Sequence, residues 1–325
     1  MTRIIIAAAL MLSVSWPLSV SAEWYGRTEG IMGTEISVQL WHENEAYAMA
    51  SIDRVIGEMH RIDHLMSTYK DHSEISQINA NAHEQAVAVS DELFELIKQA
   101  LDLGHVTRGA FDITYASVGK HYDFRTGEKP SDAQKQTAVE VVNLDNVVLN
   151  TSQKTVRFLR EGVRIDLGGI AKGHAVESAV TLLRERGIEN AIVTAGGDSR
   201  VLGDHRGRPW AVGIRDPRQR NGIAARMPVQ EEAISTSGDY ERYFEADGVR
   251  YHHIIEPTSG DSARTVRSVT IIGPNAIMTD ALSTGVFVLG KQRGLALIDS
   301  LEEFEAIVID QQGEMHFSRG LEPDA

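Results

Sequence analysis

The chain has 325 residues, of which 42% are hydrophobic and 24% charged, and it contains no cysteine. The lack of cysteine excludes disulfides, a thiol nucleophile, thiolate metal ligands and a lipid anchor on a cysteine. A formal net charge of −14 makes nucleic acid an unfavourable partner, so any phosphate ligand needs N–H groups, a lysine or a metal ion placed locally.

The first 22 residues are predicted to be a secretory signal peptide. Arg3 precedes an apolar run, and small residues at 20–22 come directly before Glu23. We therefore expect cleavage after residue 22 and a single domain over 23–325 that is soluble and works in the periplasm or is otherwise exported. An uncleaved anchor is the alternative, which the short run interrupted by Pro17 disfavours.

Hydrophobic periodicity predicts the elements of the first half of the chain. Alternating apolar residues predict a strand over 34–40, and apolar residues at helical spacing predict a helix over 44–66. A second helix is expected to begin after Ser90 as its N-cap and to stop at Gly104. The stretch "NVVLNTSQKTVRFLR" predicts a hairpin that turns at 152–153.

The second half combines glycine-ended strands with long helical segments. "VRIDL" predicts a strand, followed by a helix to about Gly187. Further strands are expected at "NAIVTAGG", "WAVGIRD", "EAISTSG", "YHHIIE" and "SVTIIG". Helices are predicted over "NAIMTDALSTGVFVLG" and after Lys291, before a hairpin in "EAIVIDQQGEMHFS". Because the elements mix without strict alternation, we expect an α+β fold with a cleft where the backbone closely approaches a ligand.

The stretch "RIDLGGIAKGHAVE" places three glycines and Lys172 around a helix start. It matches neither the GxxxxGK[ST] nor the GxGxxG fingerprint of nucleotide loops. Free N–H groups, the helix dipole and the lysine favour an anion there, whereas Asp166 would repel a bare phosphate. A tight strand-to-helix turn with surface charges is the alternative that this stretch alone favours.

Three further segments carry weaker indications. Asp280 and Thr284 are four residues apart on a predicted helix, and two hard oxygen donors at that spacing suit Mg²⁺, although both could serve only the helix itself. His252 and His253 are expected on opposite faces of a strand, one turned inward and the other solvated. "AISTSGDY" offers small hydroxyls for a ligand or a turn. The pair in "HRIDH" lacks the glutamate of a zinc helix and is interpreted as helix surface.

Eight segments then occur in the following order: "GIMGTEISV", "MSTYKDHSEISQIN", "GAFDIT", "RIDLGGIAKGHAVE", "AIVTAGGDSRVLG", "AISTSGDYERYF", "HHIIEPTSG" and "TDALSTGVFVLG". Together they resemble the ApbE family, the FAD:protein FMN transferases, from about Gly30 to Gly290. The resemblance implies an α+β, T-fold-like architecture of mixed sheets and packed helices around a central FAD cleft, built as one compact catalytic unit.

The resemblance also implies an activity. A magnesium-dependent enzyme, with Mn²⁺ as an alternative cation, would move FMN from FAD onto a threonine of an acceptor protein and release AMP. The acceptor is expected to be a membrane or exported flavoprotein subunit. Two alternatives stay open: an FAD pyrophosphatase that yields FMN and AMP, and a periplasmic flavin-binding protein without catalysis.

Site residues follow from the same resemblance. The implied metal ligands are the side chains of Asp280 and Thr284 and the backbone carbonyl of Gly169. The residues implied to contact FAD are Met32, Tyr69, Ala110, Phe111, Asp112, Asp166, Lys172, His253 and Ile254. Asp280 is expected to be catalytic through the metal. His253 is our hypothesis for proton handling at the threonine hydroxyl or the leaving phosphate, because histidine titrates near working pH.

Overall fold

The computed structural model describes residues 23–219 and 222–322, so the predicted signal peptide lies outside the described residues. Across those ranges, the structure contains no helix that is both long and apolar enough to cross a membrane.

Strands and helices of the described residues alternate irregularly along the chain. The strands are β1 Glu23–Ile31, β2 Thr34–His42, β3 Val87–Ala88, β4 Val147–Asn150, β5 Thr155–Phe158, β6 Ala191–Ala195, β7 Asp198–Leu202, β8 Trp210–Arg215, β9 Ile223–Val229, β10 Ala233–Gly238, β11 Tyr243–Ala246, β12 Val249–His252, β13 Val266–Gly273, β14 Glu305–Asp310 and β15 Met315–Phe317. The helices are α1 Glu45–Met66, α2 Glu74–Asn81, α3 Asp91–Val106, α4 Ala116–Gly119, α5 Asp132–Val139, α6 Ala171–Glu185 and α7 Ala276–Ile298.

The largest sheet has eight strands in the order β1-β2-β6-β7-β10-β13-β14-β15, and every neighbouring pair is antiparallel. Three small sheets, β3-β5-β4, β8-β9 and β11-β12, lie outside it. The predicted α+β class is confirmed. The connections that leave and rejoin the large sheet carry the helices and the segments that form the candidate site.

A layer of helices covers one face of the large sheet. Helix α6 packs between α1 and α7, and all three contact the strands beneath them. Alternate strand residues face this layer, so Ile36, Val38 and Leu40 of β2 and Ala191 and Val193 of β6 are all buried in the main core. A second, smaller core lies on the other face under the β8-β9 hairpin and includes Trp210.

Two sequence predictions about element boundaries are wrong. Gly104 does not end α3, which continues to Val106. A Cβ at Gly104 would lie 2.3 Å from the Leu144 side chain and 2.9 Å from the Phe111 carbonyl oxygen, so the glycine permits close packing instead. The chain turns later, at Gly109, where φ is +80°.

"VRIDL" is extended but forms no strand, because side chains take the place of a ladder partner. The Ile165 N–H donates to Asn79 Oδ1 at 2.8 Å, and Asn79 Nδ2 donates to the Ile165 carbonyl at 2.8 Å. The Arg164 N–H donates to the Ser117 hydroxyl at 3.0 Å. These bonds hold the approach to the glycine-rich turn in place without joining it to a sheet.

Candidate active site

The glycine turn at 168–170 leads into α6 and is organised by Asp166. The Asp166 carboxylate accepts hydrogen bonds from the Gly168 N–H at 2.6 Å, the Thr68 hydroxyl at 3.0 Å and the Tyr115 hydroxyl at 3.3 Å. Burial, together with this carboxylate, raises the pKa of Tyr115 well above its ordinary value. Asp166 therefore joins the turn to the loop between α1 and α2.

Gly173 lets α6 approach α7 closely enough for backbone to meet carboxylate. The Gly173 N–H donates to Asp280 Oδ2 at 2.9 Å. A Cβ at Gly173 would lie 2.2 Å from the Ala276 carbonyl oxygen and 2.7 Å from Asp280 Cβ. Side chains larger than hydrogen are therefore excluded at this crossing, and Asp280 is fixed by the first turn of α6.

Lys172 lies between two buried carboxylates. Its Nζ is 2.6 Å from Asp198 Oδ2 and 3.3 Å from Asp280 Oδ1, and each aspartate is only 1% exposed. Burial lowers the pKa of Lys172, but the two carboxylates outweigh burial and raise it above its ordinary value. Burial and the charge of Asp198 raise the pKa of Asp280. Two carboxylates and one ammonium leave one net negative charge in this cluster.

The three implied metal ligands lie together at this crossing. Thr284 is one helical turn after Asp280, and its Oγ1 lies 3.2 Å from the position that a Cβ on Gly169 would occupy. The Ser237 hydroxyl lies 2.8 Å from Ser283 Oγ and 3.2 Å from Thr284 Oγ1. A carboxylate, a hydroxyl and a nearby backbone carbonyl are hard oxygen donors in a negatively charged setting, which fits Mg²⁺ or Mn²⁺.

The "AFD" segment, residues 110–112, lies in the same region, and its three side chains have different roles. Phe111 Cε2 lies 3.2 Å from the position that a Cβ on Gly169 would occupy, and the Phe111 N–H donates to Thr107 Oγ1 at 3.0 Å. The Asp112 carboxylate accepts from the Thr114 N–H at 2.7 Å and the Thr114 hydroxyl at 2.6 Å, and burial raises its pKa. Ala110 is buried. The Asp112 side chain thus caps a short helical turn, and the Asp112 carbonyl accepts from the Tyr115 N–H at 3.1 Å in the same turn.

Met32 and Tyr69 border the more open part of the candidate site. Met32 has a φ of +55° in the β1-β2 turn, beside an open depression of about 480 Å³ that is also lined by Thr34 and Asp63. Tyr69 is 82% exposed in the loop between α1 and α2. Lys70 Nζ, 2.6 Å from Asp63 Oδ2, ties that loop to α1. The Tyr69 ring is therefore free to stack on a planar ligand.

His252 and His253 differ from expectation, because neither ring is simply solvated. Strand β12 ends at His252, which is 3% exposed, and its Nε2 lies 2.6 Å from the Ala263 carbonyl oxygen. Burial lowers the pKa of His252 to about 4. His253 Nδ1 is buried without a hydrogen-bond partner among the described residues, and burial, then the charge of Arg242, lower the pKa of His253 to about 3. His253 is therefore neutral at neutral pH, not half-titrated as its residue type suggested.

The side chain of Ile254, which the resemblance implies as an FAD contact, is buried. Its side chain is 5% exposed and belongs to the main core, and its carbonyl accepts from the Ala263 N–H at 3.0 Å. The sequence pointed to this residue by its place after the two histidines. The side chain packs in the core, and the implied contact of Ile254 with FAD stays a prediction.

Two charged residues at the site were missed from the sequence. Asp198 follows the glycine turn of "AIVTAGGD", and Arg242 follows "AISTSGDYE". The Arg242 carbonyl accepts from the His253 N–H at 3.1 Å, and its guanidinium lies 3.3 Å from the position that a Cβ on Gly33 would occupy. Among the residues that the structure describes, Arg242 makes no ion pair. For Asp198, a charge placed directly after two glycines was the available indication, whereas Arg242 stands four residues after Gly238 and had no such indication.

Other ionisable clusters lie apart from this crossing. His60 is exposed on α1 and contacts Glu29 at 2.8 Å, as expected for a helix-surface residue. Asp310, Glu314 and His316 bring metal-ligand atoms together at β14-β15. The ammonium of Lys291 lies 3.4 Å from Asp310 Oδ2 and 3.2 Å from His316 Nε2, so a cation of the chain already pairs with the central carboxylate of that cluster.

Comparison with known proteins identifies the family. The sequence model of the ApbE family matches residues 32–308. A FAD:protein FMN transferase of Vibrio cholerae is 34% identical over 258 residues, which are 77% of this chain and 75% of that protein. One from Treponema pallidum is 32% identical over 316 residues, which are 91% of this chain and 87% of that protein.

Solved structures show the same architecture. The ApbE protein of Thermotoga maritima superposes with a TM-score of 0.85 at 32% identity and covers 92% of this chain and 98% of its own. The flavin transferase ApbE of Vibrio cholerae gives a TM-score of 0.79 at 28% identity and covers 94% and 100%. With its family match over most of its length and these relatives, the chain belongs to the ApbE family.

Proposed function

We propose that this protein transfers FMN from FAD onto a threonine hydroxyl of an acceptor protein, releases AMP, and requires Mg²⁺ or Mn²⁺. The activity named for the Vibrio cholerae and Treponema pallidum relatives supports flavin transfer. The observation that carries the proposal is the convergence of Asp280, Thr284, Gly169 and Lys172 where α6 meets α7.

The reaction needs a balanced exchange at one phosphorus atom. The threonine oxygen bonds to the phosphorus of the FMN phosphate, the P–O bond to AMP breaks, and AMP leaves with the bonding electron pair. A bound Mg²⁺ would neutralise the charge that develops on the phosphate oxygens. The residues that would hold it are Asp280 and Thr284 through their side chains and Gly169 through its carbonyl.

The chain's own residues supply the remaining functions. Lys172 gives a positive charge at the edge of the metal site, and Arg242 offers a guanidinium near His253 that makes no ion pair with any described residue. His253 is neutral and its Nδ1 has no partner among the described residues, so it would accept a hydrogen bond from the attacking hydroxyl and orient it. The lowered pKa of His253 makes it a weak base for removing the proton completely. The exposed ring of Tyr69 would stack on the isoalloxazine or adenine of FAD.

We also propose that the protein acts after export, on a membrane or exported flavoprotein subunit. The support is the sequence of residues 1–22, which has the charge, apolar run and small residues of a signal peptide. Fractionation of cells that express the full chain should recover a product beginning at Glu23 outside the cytoplasm. A chain lacking residues 2–22 should stay inside, and equal distribution of both chains would contradict export.

The central experiment incubates the chain from Glu23 with FAD, Mg²⁺ and a candidate acceptor domain that bears a threonine. Mass spectrometry should detect FMN on the acceptor and AMP in solution. Chelation, Asp280→Ala or Thr284→Val should each abolish labelling. Asp132→Ala is a matched control, because this aspartate is 96% exposed on α5 and should leave labelling unchanged.

Each result separates the candidate functions. Labelling that depends on Asp280 supports the transferase. AMP and free FMN in the absence of labelling, with every acceptor tested, would favour the pyrophosphatase. Intact FAD that stays bound would leave a flavin-binding protein without catalysis.

A further inference from the structure

Asp198 is a buried carboxylate for which the proposed reaction has no step. It is the first residue of β7 and is 1% exposed. Lys172 Nζ lies 2.6 Å from Asp198 Oδ2 and also donates a hydrogen bond to Asp280 Oδ1 at the longer distance of 3.3 Å. The turn before it is confined, because a Cβ on Gly197 would lie 2.5 Å from the Thr236 carbonyl oxygen. The carboxylate of Asp198 is therefore presented from a rigid strand end.

We propose that Asp198 is a positioning residue that draws the Lys172 ammonium away from Asp280 and so keeps Asp280 available to a divalent cation. The inference rests on the proposed metal dependence. A lysine that lies between two carboxylates divides its electrostatic attraction between them, whereas a lysine beside a single carboxylate forms a full ion pair with it. A closed pair between Lys172 and Asp280 would compete directly with the metal.

Lys172 is the partner of Asp280 that can move. Among the described residues, the other hydrogen bond to the Asp280 carboxylate comes from the Gly173 N–H to Oδ2, a backbone donor fixed by α6. The Lys172 ammonium stands on a flexible four-carbon chain, so its position depends on which carboxylate attracts it more. Asp198 thereby sets both the place of the ammonium and the net charge of the cluster.

The charge balance gives a direct test. The unsubstituted cluster of Asp198, Asp280 and Lys172 carries one net negative charge. Asp198→Asn makes the cluster neutral and frees the lysine to pair with Asp280. Adding Lys172→Met to Asp198→Asn restores one net negative charge and removes the competitor.

The measurement is Mn²⁺ binding to the chain from Glu23, without FAD, by electron paramagnetic resonance and calorimetry. Asp198→Asn should weaken Mn²⁺ binding about 10-fold or more, as expected for losing a unit charge a few ångströms away. The double variant should recover most of the affinity. Asp216→Asn is a matched control, because Asp216 is also a buried aspartate, pairs with Arg218 at 3.2 Å between β8 and β9, and should leave Mn²⁺ binding unchanged.

Several outcomes would overturn the inference. Asp198→Asn with Mn²⁺ affinity within twofold of the unsubstituted chain would show that Asp198 does not serve the metal site. A double variant as weak as the single one would show that Lys172 is not the competitor. If Asp198→Asn does not fold, Asp198→Ser removes the same charge and is judged by the same criteria. No Mn²⁺ binding by the unsubstituted chain would instead refute the metal dependence of the proposed function, and this inference with it.

Discussion

Gly173→Ala is expected to be among the most damaging single-methyl additions in the protein. The new Cβ would lie 2.2 Å from the Ala276 carbonyl oxygen and 2.7 Å from Asp280 Cβ. The first of these atoms is backbone of α7, so no side-chain rotation relieves the contact. Helices α6 and α7 must separate by about 1 Å to reach an ordinary contact distance. That movement also stretches the 2.9 Å hydrogen bond from the Gly173 N–H to Asp280.

The magnitude follows from three opposing contributions. Replacing glycine by alanine inside a helix favours folding by about 0.5–1 kcal/mol. Overpacking in a dense interior costs about 1–3 kcal/mol, and weakening the hydrogen bond to a buried carboxylate costs about 1–3 kcal/mol. We therefore expect Gly173→Ala to lower the free energy of unfolding by about 2–4 kcal/mol and to weaken Mn²⁺ binding as well.

The assay is urea unfolding followed by circular dichroism and tryptophan fluorescence. Gly57→Ala is the matched control, because Gly57 is an exposed position of α1 where a Cβ would have nothing within 4 Å. This control should be neutral or stabilising by up to about 1 kcal/mol. A Gly173→Ala variant as stable as Gly57→Ala would refute the close helix crossing from which the whole candidate site is built.

Three further results are expected. Burial lowers the pKa of His252 to about 4, so below pH 6.5 the folded state binds fewer protons than the unfolded state. In unfolding experiments, the stability of the unsubstituted chain relative to His252→Gln should therefore fall by about 3 kcal/mol between pH 7 and pH 4. A difference that does not change with pH would contradict this. Hydrogen bonding to His316 holds the pKa of Asp310 well below its usual range. Asp310→Asn should therefore destabilise the protein at pH 7, and the loss of stability measured by unfolding should shrink as the pH falls through the acid range. A loss that is the same at every pH would argue against the ion pair. Arg242→Gln should weaken FAD binding by about 10-fold, as measured by flavin fluorescence. Arg125→Gln is the control, because the Arg125 side chain is 87% exposed and its replacement should leave the affinity unchanged. Equal FAD affinities of the two variants would show that Arg242 does not contact FAD.

Elements whose determinants are local were predictable from the sequence. Ser90 caps α3 by accepting from the Leu93 N–H, as its residue type and position predict. The break between two predicted helices near the end of α7 corresponds to Gly290, where φ is +77°. In each case the deciding interaction lies within a few residues of the chain.

Features decided by distant partners were not predictable in this way. "VRIDL" has the composition of a strand, but Asn79 and Ser117 bind its backbone instead of a neighbouring strand. Gly104 was predicted to end a helix because the sequence around it does not indicate that the Leu144 side chain packs against it. The fit of a residue against a segment 40 or more positions away has no signature in a short window.

The same distinction applies to the site. The family resemblance predicted Asp280, Thr284 and Lys172 as site residues, but it did not predict any acidic partner for Lys172 apart from the implied metal ligand Asp280. An acidic protein that binds a phosphate ligand needs its few cations held where the ligand enters, and a lysine held only by Asp280 would neutralise the carboxylate that the proposed metal site needs. The structure resolves this conflict through Asp198, which comes from a different strand and takes the shorter contact. The second carboxylate gives the lysine a second partner and leaves the crossing of α6 and α7 with one net negative charge, which is the charge that the proposed divalent cation would require.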